Sequence, residues 1–150
     1  MKKLDLNIKS LEKFTEQVED GIDEKTKQPK FKVITIPNHD VAIHWISVMV
    51  ERAINKPKLN QQTGRLMPTV EVGMQTQRTY GKMMDALEAQ KDGIIEMEDD
   101  IFEFMDRKYH QAELSVSREV NRILISIDDA INKCKAEVKD GNTDSNVKRN

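Results

Sequence analysis

Seven apolar side chains near the end of the chain recur at spacings of four, three, four, four, three and four residues. This period matches the 3.6-residue turn of an α-helix and places all seven on one side of it. A stripe of this length has to be covered, so the rest of the chain must supply a core against it. The sequence therefore predicts a closing amphipathic helix that carries Val116, Val120, Ile123, Ile127, Ile131, Cys134 and Val138.

Three further segments have helical patterns. Residues 39–55 present almost no polar side and predict a mostly buried helix. Trp45 in this segment has the largest apolar side chain of the protein, so we expect the core to centre on it. Thr69 is expected to cap an amphipathic helix that ends before Gly93, and a short helix is expected near 98–109.

The amino-terminal part of the chain has strand character. The β-branched run FKVITI lies between two prolines and predicts a strand packed beside the helical core. Upstream, the alternation of Leu4, Leu6 and Ile8 is typical of a half-buried strand. The apolar residues from Ile8 to Ile22 fit helical spacing equally well, so both interpretations stay open.

These patterns place the chain in the mostly α (α+β) class. We expect a helical bundle of about four helices with a small N-terminal strand or hairpin element. A length of 150 residues with 37% apolar residues fits a single domain, predicted over 1–140, followed by a disordered tail over 141–150. Residues 19–30 and 56–68 are polar and contain glycine or proline, which predicts an exposed arm and a long loop.

Composition removes several classes of protein. No apolar run approaches the roughly 18 residues of a membrane-spanning helix, and polar residues interrupt the amino terminus where a signal peptide needs an apolar segment. Cys134 is the only cysteine, so an internal disulfide cannot form. A net charge of −2 argues against nucleic acid as a partner, because phosphate binding uses a basic excess. We expect a cytoplasmic protein, in the host cytoplasm if the chain is viral.

Charge is unevenly distributed along the chain. Residues 25–65 hold eight basic and two acidic side chains, a balance of +6. Residues 85–106 hold nine acidic side chains and one lysine, a balance of −8. Such polarity can orient a partner or a second copy of the same protein.

Acidic side chains between 96 and 106 are the most conspicuous candidates for chemistry. In a helix Glu96, Asp99 and Glu103 would share one face, and together with Asp128 they could hold magnesium and hydrolyse a nucleotide. This outline resembles that of the all-helical nucleotide pyrophosphohydrolases. Their later helix carries Glu-x-x-Asp, whereas in this chain an arginine stands in place of that aspartate. The helix dipole favours acids in a first turn by about 0.3–1 kcal/mol each. Helix capping is therefore preferred, and a magnesium-dependent hydrolase stays an alternative.

The remaining reactive side chains favour structural roles. The histidine–aspartate cluster lacks the further histidines of metal-dependent phosphohydrolases, and the lone cysteine lies on an apolar stripe. The basic loop has no aromatic side chain on which bases could stack, so a weak nucleic-acid-binding module is a second alternative. The sequence thus predicts no catalytic, cofactor-binding or metal-binding residue. The residues weighed are His39, Asp40, His44, Cys134, Lys56, Lys58 and Arg65, and the third histidine, His110, is expected in a turn.

The order of several segments resembles small phage-encoded accessory proteins. The segments are the turn DGIDEKT, the strand-to-helix entry ITIPNHDVAIHW, and then RTYGKMMDALEA, IIEMEDDIFEFM and SREVNRILISIDDAI. The resemblance covers roughly residues 18–132 and rests on spacing. It implies a viral cytoplasmic protein that acts on a host or phage protein or helps assembly, and it assigns no functional residue to this chain.

Polarised charge and apolar helices without a catalytic constellation predict a non-enzymatic role. We expect the chain to act by protein–protein interaction with a host or phage protein and to associate with itself as a homo-oligomer. No cofactor is expected.

Overall fold

A computed structural model describes residues 1–9, 14–67 and 72–149, without the side chains of 14, 58 and 138–149. The described chain is a mixed α+β structure with four helices and three separate antiparallel strand pairs, β1–β6, β2–β3 and β4–β5. In chain order the elements are β1 (Lys2–Asp5), β2 (Phe14–Ile22), β3 (Pro29–Ile36), α1 (Asn38–Ile54), β4 (Lys58–Leu59), β5 (Leu66–Met67), α2 (Met74–Glu88), β6 (Ile94–Met97), α3 (Asp99–Gln111) and α4 (Arg118–Arg149).

The core lies between the β1–β6 pair and the helices. Strand β1 contacts α4, and α3 contacts both α1 and α2. Phe102 is the largest fully buried side chain, with Leu4, Ile46 and Ile127 also fully buried. Helix α3 is short but supplies five buried residues: Ile101, Phe102, Phe104, Met105 and Tyr109.

Trp45 is not the centre of this core, contrary to the prediction. The inward side of α1 is formed by Ala42, Ile46, Met49 and Val50, which recur at the helical period. Trp45 stands beside that stripe, is only half-buried, and makes an edge contact with the ring of the exposed His44, with the ring centres 5.6 Å apart. The size of the indole ring thus indicated burial but not position.

The strand interpretation of the first residues is correct. Strand β1 pairs antiparallel with β6, from Lys2 opposite Met97 to Asp5 opposite Ile94. Helical spacing through Val18 and Ile22 does not reflect a helix, because these residues belong to β2. Strand β6 itself falls where the sequence predicted only a lead-in to the next helix, since four residues are too few to show a period.

The closing helix confirms most of the predicted stripe. Ile123, Ile127, Ile131 and Cys134 are buried. The prediction that Val116 belongs to this stripe is wrong, because α4 begins only at Arg118 and the side chain of Val116 is 91% exposed. The side chain of Val138 lies outside the described residues. The backbone of α4 crosses residue 140, so the predicted domain boundary and tail stay predictions.

The predicted loop over 56–68 contains a small hairpin. Strands β4 and β5 pair Lys58 with Met67 and Leu59 with Leu66. The following helix begins at Met74, after Gly73, whereas Thr69 and its neighbours at 68–71 lie outside the described residues. Among the residues that the structure describes, no helix combines the length and the apolar character needed to cross a membrane.

Candidate interaction surface

The longest strand pair forms a hairpin, β2–β3. Its register runs from Phe14 opposite Ile36 to Glu19 opposite Phe31, with an irregularity before Ile22. At the turn, the backbone N–H of Lys27 donates to the carbonyl of Asp23 at 2.7 Å, and Asp23 N–H donates to the carbonyl of Gln28 at 2.9 Å. The polar turn predicted within 19–30 is therefore the end of a hairpin.

The two faces of this hairpin differ in character. Cross-strand neighbours share a face, so Phe31 and Val33 stand on the same side as Gln17 and Glu19. These two apolar side chains are 61% and 63% exposed. Seven of the eight residues of β3 are exposed, so the prediction that this strand packs beside the core is wrong, and we call the side with Phe31 and Val33 the open face.

The opposite face carries charge and is partly covered. Lys32 Nζ lies 3.8 Å from Asp20 Oδ1 on this side. Ile36 at the base and Val18 opposite Lys32 are half-buried, whereas Ile34 on the same face is 38% exposed. At Val18 and Ile36 this face is therefore less exposed than the open face.

The base of the hairpin joins the rest of the protein at Pro37 and Asn38. Strand β3 runs into α1 through the single residue Pro37. Asn38 then donates a hydrogen bond from Nδ2 to the carbonyl of Ile8 at 2.8 Å. Each strand has a partner on one side only, so the described sheet leaves an unpaired edge on both β2 and β3.

A second exposed apolar group lies on the β4–β5 hairpin. Leu59, Leu66 and Met67 are all mainly exposed. Leu66 lines an open cavity of about 590 Å³ at the end of α1, together with Glu51 and Asn55. This groove is open to solvent and has both polar and apolar lining residues.

A smaller cavity of about 210 Å³ shares Glu51 and Asn55 with that groove. Its wall includes Tyr80, whose hydroxyl donates a hydrogen bond to Glu51 Oε1. Burial, followed by this hydrogen bond and the negative charge of Glu51, raises the pKa of Tyr80 to about 12. The contact joins α1 to α2 and keeps the phenol protonated.

Three of the four acidic residues predicted as alternative metal ligands, Glu96, Asp99 and Asp128, have separate partners. Glu96 lies on strand β6, not on a helix, and is 3.7 Å from Lys3 Nζ. Asp99 lies 3.6 Å from the amino-terminal nitrogen of Met1. Among the described residues, no group of three or more His, Cys, Asp or Glu side chains is placed to hold a metal ion. The helical face expected to include Glu96 therefore does not exist.

Asp106 and Asp128 instead meet at His110, which was predicted to lie in a turn but belongs to the last turn of α3. His110 Nε2 lies 2.6 Å from Asp128 Oδ1, and Nδ1 lies 2.8 Å from the carbonyl of Asp106 and 3.0 Å from its Oδ1. Lys135 Nζ is 2.5 Å from Asp106 Oδ2. The only sequence signal was the four-residue spacing of Asp106 and His110, which places them one helical turn apart.

The surroundings of His110 favour its charged form. Burial lowers its pKa, but hydrogen bonds to Asp128 and to the Asp106 backbone, with the charges of both carboxylates, outweigh burial and raise the pKa. Both ring nitrogens face oxygen acceptors, which suits an imidazolium with two N–H donors. With neither nitrogen free, the ring braces α3 against α4 and is not positioned as a general base.

Of the other sequence candidates, His39 and Asp40 are in contact with each other, whereas Cys134 and Lys56 contact residues elsewhere in the chain. His39 Nε2 lies 3.4 Å from Asp40 Oδ1, and no side chain caps α1. Cys134 is buried, its thiol donates to the carbonyl of Lys3 at 3.3 Å, and burial raises its pKa. Lys56 Nζ is 3.4 Å from Glu113 Oε1. Arg65 is exposed, and the side chain of Lys58 lies outside the described residues.

Comparisons with protein-family models, curated proteins and solved structures find no match to this chain. The resemblance to phage accessory proteins therefore stays a prediction. Function has to be inferred from the surface itself, and the open face of the β2–β3 hairpin is its most distinctive part.

Proposed function

We propose that the chain is a non-enzymatic protein-binding protein whose β2–β3 hairpin docks on a protein partner. The observation that carries this proposal is the exposure of Phe31 and Val33 side by side on a two-stranded sheet. Exposed apolar side chains that adjoin one another are typical of interaction sites, whereas isolated ones need no explanation.

Docking would also stabilise the hairpin itself. A two-stranded sheet without further covering is marginally stable in water. Full burial of a Phe or Val side chain contributes about 1.5–3 kcal/mol. Covering the open face would therefore order the hairpin and bind the partner at the same time. The attachment at Pro37 and Asn38 would transmit the position of the partner to α1.

The state of the reactive side chains supports a role without catalysis. Both nitrogens of His110 are engaged, and burial disfavours the reactive thiolate of Cys134. The acids at 96 and 99 contact cations of the chain itself. We therefore place the function in binding, with the four helices as a bundle that presents the hairpin, and in the cytoplasm as the compartment.

The test is capture of partners with matched variants. Tagged wild-type protein is cross-linked in a lysate of the native host cells, and captured proteins, including copies of the chain, are quantified. Phe31→Ser with Val33→Ser is expected to lower capture about tenfold or more. The control variant, Val116→Ser with Ile125→Ser, removes two exposed apolar side chains from another region and should keep it.

Both variants should melt within a few degrees of wild type, because all four side chains are exposed. Equal capture by the two double variants would refute a role for the open face. So would a wild-type protein that captures nothing above the empty resin.

A further inference from the structure

We infer that the hairpin binds its partner by strand addition. An extended segment of another protein, in which acidic and apolar side chains alternate, pairs with the outer edge of β3. This inference rests on the proposed function, since it names the chemistry of the partner that the hairpin binds. Two observations carry it, the open edge of β3 and the different side chains on its two faces.

The outer edge of β3 is available for pairing. Strand β3 pairs with β2 on one side, and beyond that pairing the described residues make no backbone hydrogen bond with residues 29–36. In an antiparallel ladder every second residue points its N–H and C=O away from the partner strand. The eight residues of β3 therefore offer a row of donors and acceptors about 27 Å long, to which an extended segment can add as a third strand.

The edge of β2 is less suited to such pairing. Its register with β3 shifts between Glu19 and Ile22, where Gly21 has φ of +79°. An irregularity of this kind bends a strand and increases its twist, which protects an edge from pairing. The register of β3 is regular from Phe31 to Ile36, so its edge is an evenly spaced template.

The side chains of β3 specify the incoming strand. Phe31 and Val33 lie on the open face, and Lys30 and Lys32 lie on the opposite face. A strand beside β3 places its own side chains alternately on these same two faces. Apolar side chains next to Phe31 and Val33, and carboxylates next to the lysines, are the stabilising neighbours. The matching segment therefore alternates apolar and acidic residues.

The lysines of β3 are the charges of this strand that an added strand meets. Lys30 is exposed and has no ion pair with any described residue, and Lys32 Nζ lies 3.8 Å from Asp20 Oδ1 on the β2 side. The acids of β2 lie one strand further away, about 10 Å from the added strand, which is close to the Debye length at 0.1 M salt. Lysines on an edge strand repel a second β3 strand and attract an acidic segment. Charge thus favours a strand of another protein over a second copy.

The probe is a fluorescein-labelled peptide of about ten residues, the length of an ordinary strand, in which glutamate and valine alternate. One control peptide has the same residues in two blocks, another has lysine in place of glutamate, and another carries methyl groups on its central backbone nitrogens. The full chain is tested as wild type, as Lys30→Glu, and as Lys82→Glu, which makes the same change of charge on an exposed residue of α2. Binding is measured by fluorescence polarisation at about 50 mM and about 500 mM NaCl.

The alternating acidic peptide should bind wild type and Lys82→Glu equally. Lys30→Glu should weaken its binding by about threefold or more, because a lysine–glutamate neighbour becomes a pair of like charges, and the higher salt concentration should weaken it as well. The control peptides should bind wild type by about tenfold or more less tightly. They lack, respectively, the alternation of side chains, the matching charge and the backbone donors.

Several results would each overturn the inference. These are no binding of the alternating acidic peptide to wild type, equal binding of the block or N-methylated peptide, and equal effects of Lys30→Glu and Lys82→Glu in proteins whose melting temperatures match wild type. A wild type that dimerises in sedimentation velocity and leaves the peptide unbound would assign the edge to a second copy. If the inference fails while Phe31→Ser with Val33→Ser still lowers capture of another protein, the proposed function stands and the partner uses the open face without adding a strand.

Discussion

His110 of α3 and Asp128 of α4 are in contact through ring nitrogen Nε2 and carboxylate oxygen Oδ1, 2.6 Å apart. The contact joins the last turn of α3 to the helix that carries the longest apolar stripe. Nearby, the hydroxyl of Tyr109 donates to the carbonyl of Leu124 at 2.7 Å. Polar contacts thus fix how α4 lies over the core, which the apolar residues alone do not specify.

The stability of this junction should depend on pH. Burial lowers the pKa of His110, but its contacts with Asp128 and Asp106 raise it above the ordinary value of about 6.5. Because the folded-state pKa is raised, the contribution is fully present below about pH 6.5 and is lost as pH rises through the raised pKa. The ring is partly exposed, so we expect a loss of no more than about 1 kcal/mol.

The measurement is the free energy of unfolding in urea between pH 5 and pH 9. His110→Gln should remove the part of the pH dependence that falls just above pH 6.5. Lys135 also contacts Asp106, so Lys135→Gln serves as a control that keeps the histidine. An unchanged pH profile in His110→Gln would show that the ring does not join the helices through its charge.

Ile127→Asp should unfold the protein. Ile127 is fully buried on the stripe of α4, and an unpaired charge placed there costs several kcal/mol, comparable to the whole stability of a small domain. Ile125→Asp, two residues away on the same helix and 54% exposed, is the matched control and should melt near the wild-type temperature. Similar melting of both variants would show that the stripe is not the core.

The sequence predicted the parts of the fold that have a long apolar repeat or a long β-branched run. The repeat through Ile123, Ile127 and Ile131 located α4, and the FKVITI run located β3. Strands β4, β5 and β6 were missed because two to four residues carry no period. Their existence depends on pairing with residues far along the chain, as β6 does with β1.

The candidate site was predicted less well, for a related reason. Phe31 and Val33 belong to a run that predicts a strand from the sequence. Their exposure depends on whether other parts of the chain cover that strand, and no local sequence pattern shows this. The separate partners of the acidic residues depend in turn on the β1–β6 pairing, which brings Met1 and Lys3 to Asp99 and Glu96. The same acidic cluster is expected whether its residues cap a helix or bind a metal, so the sequence could not decide between these two roles.

The two tyrosines should titrate late. Burial and the contact with Glu51 raise the pKa of Tyr80 to about 12, and burial with the charge of Asp128 raises the pKa of Tyr109 further. Ultraviolet absorbance of tyrosinate should therefore stay small at pH 10 in the folded protein and appear at pH 10 in urea. Tyr80→Phe should remove the phase near pH 12. A tyrosinate phase near pH 10 in the folded wild type would contradict the contact with Glu51.

Gly93→Ala should destabilise the turn that leads into β6. Gly93 has φ of +81°, a conformation that disfavours a side chain, and a Cβ there would lie 2.5 Å from Asn7 Oδ1. Asn7 is held by a hydrogen bond from its Nδ2 to the carbonyl of Asp92 at 2.6 Å, so it cannot yield without losing that bond. We expect a loss of about 1–3 kcal/mol.

Gly81→Ala is the matched control, because Gly81 lies within α2 and an added Cβ there meets nothing within 4 Å. Alanine favours a helix interior over glycine by about 0.5–1 kcal/mol, so this variant should be more stable than wild type. Urea unfolding of the two variants should therefore shift in opposite directions. A Gly93→Ala protein as stable as wild type would mean that the turn tolerates a side chain and that Asn7 does not hold β1 against β6.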